Sequence, residues 1–351
     1  MIFGKKHNLV GLDIGSQTIK AAEILETKQG RILKKICMAS MEPGLIEEGS
    51  VKDREGVAKT IRELFKANDL TDQNVAISIG GFSVIVKKIT VQTMAEEQLQ
   101  ETIQFEAEQY IPFDISDVNL DFQIFGEDDN NPNQMDVLLV AAKKEMIDEY
   151  IDIVQLAGLN PCLIDVDAFA LQNIFELNYE ITDENVALIN IGASKTSLNI
   201  LKGENSLFTR DVSLGCGQIN KKIVASIDCT LEEAEQIKLS EQSDSISPED
   251  LREIVSSVVM DWCTEIKRAL DFFYSTFPDD NIQRIILSGG GANISEFRHL
   301  LATETSSEVE VIDPFQKFNI EKESIDSSYL ERIAPQAAIC MGLAIRMVDD
   351  K

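Results

Sequence analysis

Residues 10–25, VGLDIGSQTIKAAEIL, and residues 186–201, VALINIGASKTSLNIL, repeat one pattern. An apolar strand runs into a small Ile-Gly turn, and a second strand of alternating character follows. Each reads as a β-hairpin, and Gly15 and Gly192, which lack a β-carbon, let the turn come close to a ligand. Asp13 stands before the first turn and Asn190 before the second. Two such hairpins far apart in one chain imply two related halves. If they face each other, their turn amides converge on one anion, and a triphosphate is the natural guest.

A length of 351 residues suits two domains with sizeable cores. Sixty acidic residues against 32 basic ones leave a net charge of −28. That field repels the phosphate backbone of nucleic acid and argues against DNA or RNA as a partner. It favours a basic peptide or tail, with solubility alone as the plain alternative. The six cysteines are scattered, form no C-x-x-C and fit a reducing compartment. With His7 and His299 as the only histidines, a zinc site has little to draw on. No window carries the roughly 18 consecutive apolar residues of a membrane-spanning helix. The start, MIFGKKHNLVGLDIGS, is not a signal peptide, because Asp13 and internal positive charge interrupt it. The expectation is a cytoplasmic protein without direct membrane insertion, any membrane association running through a partner.

Outward from the first hairpin, residues 31–41 predict a third meander strand, 53–68 a helix and 74–79 a β-branched strand. Residues 82–166 read as an inserted β-α-β-β-α-β unit. Its first helix is expected to open on a capping box at Thr93 and Glu96, and the polar stretch 126–133 to turn between two strands. The second hairpin gains its own third strand at 205–212, so the halves repeat their order. A second capping box opens at Thr230 and Glu233, and Ser247-Pro248 starts a long helix. Residues 284–287 form a strand running into Gly289-Gly290-Gly291, Asn293 is expected to cap the next helix, and 335–347 predict a small-residue helix. The division is 1–81, 167–184 and 335–351 for the first half, 82–166 for the insert, and 185–334 for the second half with a helical part about 215–283. The fold class is α/β, two related halves around a cleft.

Three glycine-containing turns give three backbone anion sites, and each amide aimed at an ionised phosphate contributes about 1.5–3 kcal/mol. Asp13 would be repelled by phosphate, so its useful role is to hold Mg²⁺ through water. With these pieces together the sequence resembles the actin-like ATPase superfamily. GLDIGSQT is similar to its first phosphate loop, INIGASKT to its second, RIILSGGGAN to its adenosine loop, and LIDVDAFALQ and PQAAICMGLAIR to its two connecting helices. Within the superfamily the chain is most similar to the PilM family of type IV pilus assembly, on FEAEQYIPFDISDVNLDFQIF and LFTRDVSLG.

The resemblance implies ATP or ADP with Mg²⁺ as cofactors. Asp13 would organise the metal, and Gly15, Ser16 and Gln17 would bind phosphate from one side. Gly192, Ala193 and Gly215 would do so from the other, with Gly289 and Gly290 under the nucleoside. Glu235 and Lys238 match ribose and adenine contacts, though an exposed ion pair is an equal reading of the two residues. Asp165 matches the residue that orients attacking water. Asn190 in place of a second acid, and Cys216 where a glycine is usual and a side chain would crowd the phosphate, predict a slow or stalled ATPase.

The resemblance also implies a partner, the N-terminal cytoplasmic tail of the inner-membrane protein PilN, alongside other inner-membrane pilus components. Its groove would involve Glu108, Ile111, Pro112 and Phe113, where Ile111 and Phe113 read equally well as closing the insert's core. Two rivals stand beside this adaptor. A small-molecule kinase would need a carboxylate base, and the insert offers no recognisable one. An FtsA-like filament former would carry an amphipathic membrane helix behind a linker, whereas this sequence ends at Lys351 soon after its last expected helix.

Overall fold

The computed structural model describes residues 9–128, 131–240, 245–278, 280–320 and 325–348. The first half begins with the meander β1 (Val10–Ile14), β2 (Thr18–Thr27) and β3 (Gly30–Ser40), followed by the short pair β4 (Ile46–Glu47) and β5 (Ser50–Val51). Helix α1 (Arg54–Ala67) and strand β6 (Asn74–Ile79) follow. The next elements are β7 (Val84–Gln92), α2 (Glu96–Ala107), β8 (Val118–Asp128), β9 (Asn131–Lys143), α3 (Lys144–Leu156), β10 (Asn160–Val166) and α4 (Asp167–Asn178). The second half repeats the meander as β11 (Asn185–Ile191), β12 (Thr196–Lys202) and β13 (Asn205–Val212). It continues through α5 (Gly217–Ile227), α6 (Leu231–Ser240), α7 (Pro248–Thr276), β14 (Ile282–Ser288), α8 (Ser295–Thr305) and β15 (Glu308–Val311). The last elements are β16 (Phe318–Ile320) and α9 (Ser327–Ala344).

The duplication is visible in the sheets. One runs β10-β6-β1-β2-β3-β16 and the other β13-β12-β11-β14-β15. In each, the meander is antiparallel and two parallel strands extend its first strand, β6 and β10 on β1, β14 and β15 on β11. Helices α4 and α9 lie between the sheets, where Leu171, Phe175, Ala338 and Leu343 meet Ala22 and Leu33 from one side and Leu188 and Ile286 from the other. Outside, α1 and α3 cover the first sheet and α5 to α8 the second, around Trp262. The sandwich is α-β-α-β-α.

Close packing at its centre depends on absent side chains. A β-carbon on Gly342 of α9 would stand 1.7 Å from the carbonyl oxygen of Ala170 on α4, and one on Gly11 2.1 Å from that of Cys340. Helix α9 starts at Ser327, capped by Asp326, eight residues before the expected start at Pro335. Pro335 lies inside it. The Pro335 carbonyl accepts from Gly289 N–H at 2.7 Å, so the central helix is tied directly to the glycine loop after β14.

The insert is smaller in its pairing than expected. Its sheet is β7-β9-β8, with α2 packed on it through Leu99, Ile103 and Ala107. Strand β10 pairs in parallel with β6, and α3 packs on the first half's own core through Tyr150, Ile153 and Val154. Apolar strand and helix residues that read locally as the end of the insert bury better against the larger sheet.

Of the expected caps, Thr230 and Glu233 exchange both bonds, at 2.8 and 3.1 Å, and Ser247 accepts from Asp250 N–H. Thr93 does not cap α2. Its hydroxyl bonds the Pro132 carbonyl across the sheet, and α2 opens at Glu96 with Gln98 accepting from Ala95 N–H. Asn293 does not cap α8 either, because it belongs to the 3-10 turn 290–293. Strands β8 and β9 run on to Asp128 and Asn131, and the rest of the turn expected at 126–133 lies outside the described residues.

Candidate functional site

The ends of β1 and β11 bring the two turns together. Ser16 and Ser194 hydroxyls lie 3.2 Å apart across 178 residues of sequence. Gly15 N–H bonds the Thr18 carbonyl and Gly192 N–H the Lys195 carbonyl, so both glycine amides close their own turns. This differs from the expectation that they bind phosphate. Their value is steric, since a β-carbon at Gly15 would come 2.8 Å from the Thr18 oxygen. Among the described residues, the amides of Ser16, Gln17, Ala193 and Ser194 have no backbone partner, which leaves them for an anion at the junction.

Five charged side chains surround that junction. Asp13, buried at the end of β1, pairs with Lys20 directly opposite on β2 at 3.0 Å. Burial pushes its carboxyl above the ordinary value, and Lys20 opposes the shift. Lys195 reaches from the second turn to Asp167 at the start of α4, 2.7 Å away, and Asp167 also accepts from Ser78 at 2.7 Å. Burial alone would raise the Asp167 carboxyl, but Lys195 and Ser78 hold it below the usual range. Burial likewise works against the Lys195 ammonium, and Asp167 with Asp211 more than restores it. Asp211 on β13 accepts from Gly81 N–H at 2.8 Å, and burial raises its carboxyl.

Asp165 stands apart from this group. Its carboxylate accepts from Arg346 at 2.7 Å and from Asn173 at 3.3 Å, two residues of the connecting-helix layer. Asp167 is therefore the acid of the LIDVDAFALQ stretch that meets the turns. Sequence reading missed it, together with Lys20, Lys195, Asp211 and Ser194. Of these, Lys20 had a signal, because hairpin register places it across from Asp13.

On the second half, Gly215 and Gly289 press against the turn. A β-carbon on Gly215 would meet the Ala193 oxygen at 2.4 Å, and one on Gly289, whose φ is +81°, the Ile191 oxygen at 2.3 Å. Gly290 borders Gln336 of α9. Cys216 does not stand in the phosphate's way as expected: its side chain packs in the core with Ile219, Ile223 and Ala234, and burial raises its thiol to about 11. Glu235 and Lys238 pair at 2.6 Å, and Asn220 donates to the same Glu235 oxygen at 2.6 Å. The pair is half-buried, unlike a free surface pair. Asn190 lies buried with its side-chain oxygen accepting from Ser288.

No group of three or more His, Cys, Asp or Glu able to hold a metal exists among the described residues. Asp13, already paired with Lys20, fits an ion that arrives hydrated with its ligand's phosphates better than a metal bound by protein alone. On the insert, Ile111 is core, Phe113 is half-buried under the Lys143 ammonium at 4.4 Å, and Glu108 and Pro112 are exposed. Phe105 on α2 is 71% exposed nearby in sequence.

A family model for the type IV pilus assembly protein PilM matches residues 11–348. The chain belongs to the PilM family. The solved structure of a PilM-PilN type IV pilus biogenesis complex superposes on it with a TM-score of 0.87 at 27% identity, covering 99% of this chain and 100% of that one. The ethanolamine utilization protein EutJ of Carboxydothermus hydrogenoformans matches at 15% identity and TM-score 0.58, over 97% of this chain and 90% of that one. MreB 5 of Spiroplasma citri, solved with AMPPNP, matches at 12% identity and TM-score 0.52, over 96% and 95%. These last two share the actin-like fold. Among the described residues, no helix is long and apolar enough to cross a membrane.

Proposed function

We propose that this protein is a nucleotide-binding adaptor of type IV pilus assembly that binds the N-terminal cytoplasmic tail of PilN and so joins the inner-membrane components of the pilus machinery from the cytoplasmic side. The observation that carries the partner is the end-to-end match to the PilM-PilN complex structure. A net charge of −28 suits a tail with basic residues. Glu108 and Pro112 offer accessible contacts, whereas Ile111 supports the surface from the core.

The nucleotide reading rests on two facing turns with open amides, flanked by Lys20 and Lys195. ATP is the guest that matches the anion site, with Glu235 and Lys238 toward the ribose and adenine and Gly289-Gly290 beneath them. Mg²⁺, when bound with the phosphates, supplies charge neutralisation, and Asp13 would orient it through water. Asn190 contributes no charge there, and Asp165 is engaged by Arg346, so hydrolysis is slow at most. Of the two acids in LIDVDAFALQ, Asp167 and not Asp165 is the one beside the turns.

Capture of a synthetic PilN tail by the full chain, with and without Mg-ATP, tests the adaptor. Binding that changes at least about fivefold with Mg-ATP is expected for coupled sites. Glu108→Lys should weaken capture while leaving ATP affinity unchanged. No capture under either condition would contradict the proposal.

A further inference from the structure

Lys195 belongs to the second turn by sequence and to the first half by contact. Its ammonium bonds Asp167 at 2.7 Å and lies over the Gly80-Gly81 bend, where a β-carbon on Gly80 would come 2.6 Å from it. Asp211, from the second half, answers by accepting from Gly81 N–H. Ser78 fixes the other Asp167 oxygen. The pair therefore ties the halves across the cleft, beside the point where Ser16 meets Ser194. Lys20, by contrast, is held within its own hairpin by Asp13.

We propose that Lys195 senses the third phosphate of a bound nucleotide, its ammonium leaving Asp167 for the terminal phosphate and so exchanging one contact across the cleft for another. This rests on the nucleotide reading above. A lysine carries three donors on a flexible four-carbon stem, so it changes anions by side-chain rotation alone. Asp167 and Asp211 repel a third phosphate unless a cation stands between them and it. A diphosphate, one group shorter, leaves the Lys195–Asp167 pair in place. Triphosphate preference thus depends on Lys195, and Asp167 is its competitor.

Equilibrium binding of ATP and of ADP to the full chain in excess Mg²⁺ tests the assignment. Lys195→Gln should weaken ATP about 10- to 100-fold, as loss of a charge-assisted hydrogen bond does, and change ADP less than about threefold. Asp167→Asn should tighten ATP by about threefold or more, because the competing carboxylate charge is gone. Tightening cannot arise from misfolding, and its disappearance when Asp167→Asn is combined with Lys195→Gln separates competition for the lysine from mere loss of repulsion. Equal loss of ATP and ADP in Lys195→Gln, no loss of either, or weaker ATP binding in Asp167→Asn would overturn the assignment while leaving the nucleotide reading standing. Failure of the unaltered chain to bind either nucleotide would overturn both.

Discussion

The two hairpins share a backbone and differ in where their charges go. In the first, Asp13 and Lys20 face each other across one ladder, and the pair is complete within eleven residues of turn and strand, from residue 10 to residue 20. In the second, the position of Asp13 is taken by Asn190, which bonds Ser288 of its own sheet, and the lysine sits in the turn and crosses to Asp167. A duplicated fold has kept its open turn amides and redistributed its ion pairs, one local and one between halves. The first hairpin is a self-contained cradle. The second spans the cleft, from the turn after β11 to the start of α4.

The largest expected effect separates the cores behind the hairpins. Trp262 is fully buried behind the second sheet, stacked edge-on to Phe297 and bonded to Gln218. Trp262→Ala should cost about 3–5 kcal/mol in chemical denaturation. Because α4 and α9 lie in a core shared by both sheets, the loss should move a single cooperative transition, and an independent melting of the second half would break the picture of coupled halves. Next is Gly342→Ala, which sets a methyl against the Ala170 backbone and should cost about 3 kcal/mol by overpacking the helices between the sheets.

Lys20→Gln and Lys195→Gln sharpen the contrast itself. Removing Lys20 leaves Asp13 buried beside a neutral partner, for a loss of about 2 kcal/mol at neutral pH. An acid whose carboxyl is raised in the folded state holds a proton that the unfolded chain releases, so the penalty grows as pH rises through that range and fades below it. Lys20→Gln should therefore be worse at pH 7 than at pH 5 in thermal melts. Lys195→Gln leaves Asp167 with the Ser78 hydroxyl and should cost less, about 1 kcal/mol. Equal losses in the two variants would erase the distinction between a local and a cross-cleft pair.

The smallest effect is at Asp211. Its carboxyl is raised by burial, so stability falls as pH rises from the unfolded value through the folded one. Asp211→Asn keeps the acceptor for Gly81 N–H and removes that fall. Relative to the unaltered chain it should gain stability between pH 4 and pH 7, by less than about 1 kcal/mol.

The hairpins, the repeated meanders and the small-residue packing of α9 were legible because they follow from local pattern: alternating strands, glycine turns, and residues such as Gly342 that permit contact. Register even contained the Asp13–Lys20 pair. What the pattern withheld was tertiary. Nothing near Lys195 in sequence points to Asp167, and Asp165 and Asp167, two residues apart, are separated only by whether Arg346 or Lys195 reaches them. Strand β10 reads as part of the insert because its neighbours in sequence are there, while its pairing lies with β6. Ile111 read equally as surface or core, and only the packed insert decides for core.

A crystal structure of the full chain grown with Mg²⁺ and a non-hydrolysable ATP analogue tests the claim that both turns serve one guest. The account predicts the β- and γ-phosphates within hydrogen-bond reach of amides from residues 16–17 and 193–194 together. Phosphates held by one turn alone, or a nucleotide bound away from the Ser16–Ser194 junction, would contradict it.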